Sequence, residues 1–301
     1  MAMESDTPPA LEILRSARKV GLVLSGGASR CAFQVGVIEV LTELGFEPDL
    51  SVAISGGAWN AAAVSAGTVS RLRLYWRAFG RMPRFDIRNL LRGHSPYRFP
   101  EMHRRTFSRY VGAERLHRPE ARPAFIGVTR LRDRQGTFFD LRTVEDPLAL
   151  CLASNYVPPF YTHAPRIDGE RYGDGGRADN LPYEKAFAEE CDAVVLVTMK
   201  GESEGGLYRN PREPDHVIPS PYRERTVVIR PRHRLPCEFT ENRWEMLRST
   251  MDLGRLRTRE VILGEYHPET EVRAELGALD LFIRRLLMTR VVASSTRRRS
   301  P

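Results

Sequence analysis

A chain of 301 residues, 42% of them hydrophobic, is long enough to bury the core of one main domain with appendages. The net charge is +8, but nearly all the basic residues are arginines, scattered without a recognition motif, which argues against a specific nucleic-acid partner and favours at most a basic face toward an anionic lipid surface. No stretch approaches the roughly 20 apolar residues of a membrane span and no secretory signal opens the chain, so we expect a cytoplasmic protein, peripheral at a membrane at most.

The first predicted elements alternate between strand and helix. Residues 1–16 are polar and proline-containing and predict a flexible arm ahead of a core over 17–200. Within this core, "KVGLVLS" predicts a buried strand, "CAFQVGVIEVLTELG" a helix, "LSVAIS" a second strand and "GGAWNAAAVSAG" an alanine-rich helix. This order is typical of a parallel sheet.

The later elements extend the same domain. Turn signals predict hairpins at Asp133–Gly136 and Asp168–Gly169. Helices and loops outside the sheet are predicted over 71–118, followed by a short helix in "DPLALCLASNY", a buried strand over 193–198 and a mobile loop over 201–222. A last strand over 226–231 and helices over 240–263 and 268–291 make 223–291 the end of the same domain. The tail over 292–301 is predicted to be disordered.

A pair of glycines follows the first predicted strand, in "SGGASR" at 25–30. Backbone N–H groups at such a turn into a helix have no intrahelical partner and point at whatever lies in front of them, so the loop can hold an anion. Neither a dinucleotide glycine pattern nor a phosphate-loop lysine is present. Taken alone, the glycine pair is a weak signal.

A serine stands where the second predicted strand ends, in "AISGG". Neighbouring parallel strands end at one edge of a sheet, so Ser55 and the glycine loop are expected to face one crevice, where the hydroxyl is a nucleophile and the N–H groups stabilise an oxyanion. The pattern lacks the first glycine of the Gly-x-Ser-x-Gly elbow, because Ala53 occupies that position. A base is also required, and "YGDGG" offers Asp174, although Asp-Gly-Gly is by itself an ordinary turn signal.

Together, "SGGASR" with "CAFQVGVIEVL", "AISGGAWNAA" and "YGDGGRADNLP" resemble, in the same order, the three motif blocks of the patatin-like phospholipase family. The resemblance covers about residues 19–200. It implies a three-layer α/β/α sandwich with a mainly parallel central sheet and the nucleophile on the turn after the second strand. It also implies hydrolysis of carboxylic esters of lipids, such as phospholipid, lysophospholipid or acylglycerol, at a membrane or micelle surface.

The resemblance also implies roles for particular residues. Ser55 is the implied nucleophile and Asp174 the implied base of a Ser-Asp dyad without histidine. The remaining implied site residues are the oxyanion loop Gly26, Gly27 and Ala28 with the following Arg30, and the supporting glycines Gly57, Gly175 and Gly176. Three glycines usual in the family are replaced, by Ala28, Cys31 and Ala53, which predicts a weakened oxyanion hole if position 28 needs a positive φ.

Other functions remain open at this stage. Ser55, Asp174 and a later histidine (His216, His233 or His267) follow the chain order of an α/β-hydrolase triad, although that fold builds several strands before its nucleophile. The same dyad can transfer an acyl group to an alcohol. The altered glycines also allow a catalytically impaired scaffold that binds a membrane or a partner.

The four cysteines are far apart, with neither the spacing of a zinc site nor the density of a disulfide scaffold, and we expect them to be buried. No cofactor and no metal are expected. The sequence leaves the oligomeric state undetermined.

Overall fold

The computed structural model describes residues 8–271, which form one sheet with helices on both faces. The strands are β1 (Val20–Leu24), β2 (Leu50–Ile54), β3 (Ala124–Arg130), β4 (Gly136–Asp140), β5 (Arg166–Ile167), β6 (Glu170–Asp174), β7 (Ala193–Val197) and β8 (Thr226–Ile229). The helices are α1 (Pro9–Ser16), α2 (Ala32–Glu43), α3 (Gly57–Ser65), α4 (Leu72–Arg81), α5 (Arg88–Leu91), α6 (Phe99–Tyr110), α7 (Ala113–Leu116), α8 (Pro147–Ser154), α9 (Tyr183–Ala188), α10 (Ser220–Arg223) and α11 (Trp244–Leu263).

The centre of the sheet is parallel. Its order is β5-β6-β3-β2-β1-β7-β8, with β4 also paired to β3. The pairs from β3 through to β8 are parallel, whereas β4 and β6 run antiparallel to β3 and β5 runs antiparallel to β6. The strand–helix alternation of the N-terminal part and both hairpins are confirmed.

The sheet separates two hydrophobic cores, because successive strand side chains point to opposite faces. Leu22 and Leu24 join the larger core, with α2, α3, α4, α6, α8 and α11, while Val23 joins the smaller one, with α9. Both faces of the central strands are therefore buried, which explains their nearly continuous apolar sequence. The predicted three-layer α/β/α fold is confirmed.

Helix α11 holds α2 in place. A Cβ atom at Gly36 of α2 would collide with the backbone at Met251, and one at Gly254 of α11 would collide with the backbone at Phe33. The two helices thus approach at a contact that only glycine allows on either side. Since the glycine loop leads directly into α2, the C-terminal helix supports the N-terminal motif.

Two segments pack against the domain, which the sequence-based prediction did not include. Residues 9–16, predicted as part of a flexible arm, form α1, which starts with proline at its first position and buries Leu11 and Leu14. Residues 201–222, predicted as a mobile loop, bury Leu207 and Ile218 in the smaller core and contain α10. In both segments a few apolar residues among prolines and charges are enough to pack the chain onto the domain.

The other predicted elements fall close to their expected positions. The short helix after "ED" is α8, whose N-terminus is capped by the side chain of Asp146. The helix predicted over 240–263 is α11. The helix predicted over 268–291 lies mostly outside the described residues, and the tail over 292–301 lies wholly outside them. All four cysteines are buried and none of them forms a disulfide.

Candidate active site

Ser55 lies on a strained turn between β2 and α3. Its φ is +52°, in the left-handed region that costs an L-residue about 1–2 kcal/mol, and it is only 6% exposed. Gly57 makes this sharp turn possible, because a Cβ there would lie 2.6 Å from the carbonyl oxygen of Leu24 in the neighbouring strand. Ser55 therefore lies on the turn itself and belongs to neither β2 nor α3.

The C-terminal end of α8 holds the backbone of this turn from two sides. The Ser55 N–H donates to Ser154 Oγ at 2.7 Å, and this hydroxyl donates to the Gly127 carbonyl of β3 at 2.7 Å. The Asn155 side chain donates to the Ser55 carbonyl at 2.8 Å. These contacts offset the strain at Ser55 by occupying both of its backbone polar groups. Sequence analysis did not single out either of these supporting residues.

The register of β3 brings Asp174 to the same point. β2 ends with Ile54 opposite Gly127, and β6 ends with Asp174 opposite the next β3 residue, Val128. Because β4 occupies the other edge of β3, β2 and β6 share one edge and meet end to end. Ser55 Oγ consequently donates to Asp174 Oδ2 at 2.7 Å, across 119 positions of sequence.

The Asp174 carboxylate is buried, at 8% exposure. Burial raises its pKa to about 6, against the opposing effects of hydrogen bonds from Ser55 and the Gly176 N–H and of the charge of Arg177. The Gly176 N–H donates to Asp174 Oδ1 at 2.8 Å, and Thr129 Oγ1 donates to the Asp174 carbonyl at 2.8 Å. Hydrogen bonds from its neighbours thus orient the carboxylate, but they offset only part of the free-energy cost of removing it from water.

We expect Asp174→Asn to be more stable than the wild type above about pH 6. The raised pKa means that the folded state retains a proton that the unfolded chain releases, so wild-type stability falls as pH rises from the unfolded pKa of about 4 to the folded pKa of about 6. A neutral amide avoids this loss, worth at most roughly 3 kcal/mol. Thermal unfolding at about pH 4 and about pH 8 measures the difference. Asp168→Asn, at an exposed turn, is the control, and an equal effect of Asp174→Asn at both pH values contradicts the prediction.

The glycine loop lies against Ser55, and its N–H groups differ in whether they have a hydrogen-bond partner. The Gly26 N–H donates to Asn180 Oδ1 at 2.8 Å, so the predicted donor at this position is already occupied. The N–H groups of Gly27 and Ala28, and that of Gly56 after the serine, have no hydrogen-bond partner among residues 8–271. Ala28, Ser55 and Gly56 line one cleft. Asn180, which sequence analysis missed, therefore positions the loop, and the N–H groups beyond it remain available.

The three replaced glycines have different consequences. Ala28 has a φ of +50°, so the loop does require the left-handed region there and the alanine bears a cost of about 1–2 kcal/mol, yet the turn is formed. Cys31 is fully buried beneath the loop, where burial raises the pKa of its thiol. Ala53 is buried in the larger core. None of the three substitutions prevents the Ser55–Asp174 contact.

The remaining predicted site residues support the backbone. Arg30 closes the loop through its N–H, which donates to the Gly27 carbonyl at 3.2 Å, and its guanidinium lies 5.8 Å from the Phe239 ring centre. Gly175 allows β6 to end against β3, since a Cβ there would collide with the Gly127 carbonyl. Gly176 orients the Asp174 carboxylate through the hydrogen bond that its N–H donates to Oδ1.

An aromatic cleft opens beside Ser55. Its empty space is about 450 Å³, a volume that includes open solvent at its mouth. Its walls are mostly aromatic side chains from α3, α4, α6 and two loops, namely Trp59, Trp76, Phe79, Phe99, Phe160 and Phe239. Trp76, Phe79 and Phe99 of the arginine-rich 71–118 segment thus face inward. Such a surface accepts an apolar chain.

One histidine, which sequence analysis did not single out, belongs to this cleft. His103 is 6% exposed and stacks on Trp59, with ring centres 4.2 Å apart. Its Nδ1 lies 2.8 Å from the Tyr75 hydroxyl, and burial lowers its pKa to about 3, so the ring is neutral. It contributes a neutral wall to the cleft.

The α/β-hydrolase triad is excluded by the positions of the three candidate histidines. His216 contacts the Tyr183 hydroxyl and Glu213, His233 contacts Glu271, and His267 contacts Glu265. None of the three contacts Ser55 or Asp174.

Comparison with known families agrees with this architecture. The patatin-like phospholipase family profile matches residues 22–187, more than half of the chain. The chain belongs to the patatin-like phospholipase family. The matched region contains the glycine loop, Ser55 and Asp174.

This patatin-like chain also resembles individual proteins. It is 26% identical over 185 residues to the uncharacterized protein YjjU of Escherichia coli, a match covering 60% of this chain and 51% of YjjU, so the chain spans about half the length of that curated relative. The crystal structure of VipD from Legionella pneumophila superposes with a TM-score of 0.50 at 12% identity, covering 91% of this chain and 75% of VipD, and shows the same fold. The type III effector ExoU of Pseudomonas aeruginosa matches with a TM-score of 0.43 at 15% identity, over 88% of this chain and 54% of ExoU.

Two further properties bear on the candidate chemistry. Within residues 8–271, no helix combines the length and the apolar character needed to cross a bilayer. The same residues contain no group of three or more His, Cys, Asp or Glu side chains suited to hold a metal ion.

Proposed function

We propose that this chain is a serine acyl hydrolase that cleaves carboxylic ester bonds of lipids through an acyl-enzyme on Ser55. The observation that carries the proposal is the 2.7 Å hydrogen bond from Ser55 Oγ to the buried Asp174 carboxylate, at the mouth of an aromatic cleft. Membership of the patatin-like phospholipase family supports the same chemistry.

Asp174 acts as the base in the first half of the reaction. Its carboxylate takes the Ser55 proton as Oγ attacks the ester carbonyl carbon. The pKa of about 6 makes this carboxylate a better proton acceptor than a free aspartate, while it remains mostly ionised at neutral pH. As the tetrahedral intermediate collapses, the carbon–oxygen bond to the alcohol breaks and Asp174 returns the proton to the departing oxygen.

The N–H groups of Gly27, Ala28 and Gly56 stabilise the oxyanion of this intermediate, since none of the three has a partner in the described residues and Ala28 and Gly56 line the cleft. One such donor is worth about 10²–10³ in rate in other enzymes. Water then gives a proton to Asp174 and attacks the acyl carbonyl carbon. The bond from this carbon to Ser55 Oγ breaks as Asp174 returns the proton to Oγ, which releases the fatty acid and restores both residues. An alcohol in place of that water gives acyl transfer by the same steps.

The aromatic cleft determines the substrate class in this proposal. An acyl chain lying against Trp59, Phe79 and Phe160 removes apolar surface from water, worth about 25 cal/mol per Å². The neutral state of His103 suits that role, because a charged ring would oppose an apolar ligand. Phospholipid, lysophospholipid and acylglycerol all present such a chain.

A serine-directed fluorophosphonate with an alkyl chain tests the proposal. We expect labelling of the wild type and of Ser65→Ala, a buried serine outside the cleft, and no labelling of Ser55→Ala. Incubation with each of the three lipid classes should release free fatty acid. A folded wild type that neither reacts with the probe nor releases fatty acid contradicts the proposed hydrolase activity and favours a catalytically impaired scaffold that binds a membrane or a partner. Transfer to an added alcohol without release of acid in water identifies an acyltransferase.

A further inference from the structure

Exposed apolar side chains concentrate in one short segment. Eight large hydrophobic side chains in residues 8–271 are at least a third exposed, and four of them lie within seven positions. These four are Phe85 at 48%, Ile87 at 73%, Leu90 at 53% and Leu91 at 90% exposure. Clusters of this kind are uncommon on a protein surface that faces only water. We call residues 81–94, which contain α5, the basic–apolar segment.

The same segment is strongly basic. It contains four arginines, at positions 81, 84, 88 and 92, and a single acidic residue, Asp86. Arg88 is paired with Asp86 but its side chain is 77% exposed, so the segment presents positive charge beside its leucines. Apolar side chains interleaved with arginines match the boundary of an anionic bilayer, where the former enter the acyl region and the latter contact phosphates.

The base of the segment is tied to the walls of the cleft. Phe85 pairs with Tyr97 in an isolated antiparallel bridge, and the Tyr97 ring lies 4.7 Å from Phe160 and 5.4 Å from Phe99, which both line the cleft. Just beyond the segment, Ser95 donates through its N–H to Thr162 Oγ1 at 2.9 Å. Phe85, at the base of the segment, therefore lies one aromatic layer away from the cleft that contains Ser55.

We propose that the basic–apolar segment docks the protein on an anionic lipid surface and presents the cleft to that surface. This inference rests on the proposed function for its substrate, but docking itself does not require Ser55. A second copy of the chain is a poor occupant, because two such segments would bring eight arginines and only two aspartates together. The sequence favours at most a basic face toward an anionic lipid surface, whereas the exposed apolar residues of the structure add an insertion step.

Vesicle sedimentation of the full chain tests the proposal, with phosphatidylglycerol–phosphatidylcholine vesicles and pure phosphatidylcholine vesicles. Ile87→Ser with Leu91→Ser should weaken binding to the anionic vesicles about tenfold or more, since both side chains lose their place in the acyl region. Arg88→Gln with Arg92→Gln should weaken it by about fivefold per arginine and remove the preference for anionic vesicles.

The matched control is Leu74→Ser with Val217→Ser. These side chains are 48% and 66% exposed but lie outside the segment, on α4 and next to Ile218 of the smaller core. Binding within about twofold of the wild type is expected. Wild-type binding by both segment variants, or equal losses in the control, overturns the proposal. A wild-type dimer that Leu91→Ser converts to monomer, with vesicle binding unchanged, identifies a protein interface and also overturns it.

Activity separates this inference from the proposed function. The segment variants should retain turnover of a soluble short-chain ester but lose turnover of lipid in vesicles in proportion to their lost binding. If Ile87→Ser with Leu91→Ser turns over lipid in vesicles at the wild-type rate, the docking proposal is overturned but the proposed hydrolase activity is not. Vesicle binding by a wild type that hydrolyses no ester supports docking and contradicts the hydrolase.

Discussion

Ser55→Ala and Asp174→Asn should each lower turnover of a short-chain acyl ester by about 10³-fold or more. The first change removes the nucleophile, and the second leaves the Ser55 proton without an acceptor, because an asparagine that accepts from the Gly176 N–H turns its NH2 group toward Ser55 Oγ and can only donate there. Because the two groups act in one step, the double variant should be no slower than the slower single variant. Steady-state kinetics of the three proteins, with circular dichroism to verify folding, measures this.

Control substitutions make this prediction specific. Ser65→Ala and Asp168→Asn repeat the chemical changes away from the cleft and should leave turnover within about twofold. Substitution of His216, His233 or His267 by alanine should do the same, since none contacts the dyad. The low-pH limb of the wild-type profile should fall near pH 6, where Asp174 gains a proton. Full activity of Asp174→Asn would show that another group acts as the base.

Gly26→Ala should lower turnover about 100-fold while the protein still folds. The added Cβ would lie 2.7 Å from Asn180 Oδ1 and 2.8 Å from Ser55 Cβ, closer than real Cβ contacts allow. The loop must therefore shift, which breaks the Gly26–Asn180 hydrogen bond and moves the N–H groups of Gly27 and Ala28 away from the developing oxyanion. Displacements of about 1 Å cost this much in other active sites.

Gly67→Ala is the matched control for this substitution. Gly67 has a φ of +65°, and nothing lies within 4 Å of the position its Cβ would take. This variant should lose about 1 kcal/mol of stability and no turnover. kcat/KM and thermal unfolding of both variants distinguish the outcomes. Wild-type kcat/KM for Gly26→Ala would show that the loop does not contribute to the transition state.

Local patterns in the sequence were sufficient for most elements of the fold. The apolar runs at 20–24, 50–54 and 193–197 are buried on both faces, so composition alone marks them as central strands. The sequence did not predict α1 over 9–16 or the burial of Leu207 and Ile218 within 201–222, because only a few apolar side chains attach each segment to a core. Burial of one or two leucines depends on a partner surface, which no local pattern contains.

The sequence by itself determined that a serine ends the second strand, that a glycine loop follows the first, and that an Asp-Gly-Gly turn follows a later strand, because each is a local signal at an element boundary. Only the tertiary structure decided that Ser55 and Asp174 touch, since this depends on the register by which β2 and β6 meet along one edge of β3. It also decided the roles of Ser154, Asn155 and Asn180, whose polar side chains act on backbone groups far away in the chain. Long-range register and packing set these contacts, and neither leaves a periodic trace in the sequence.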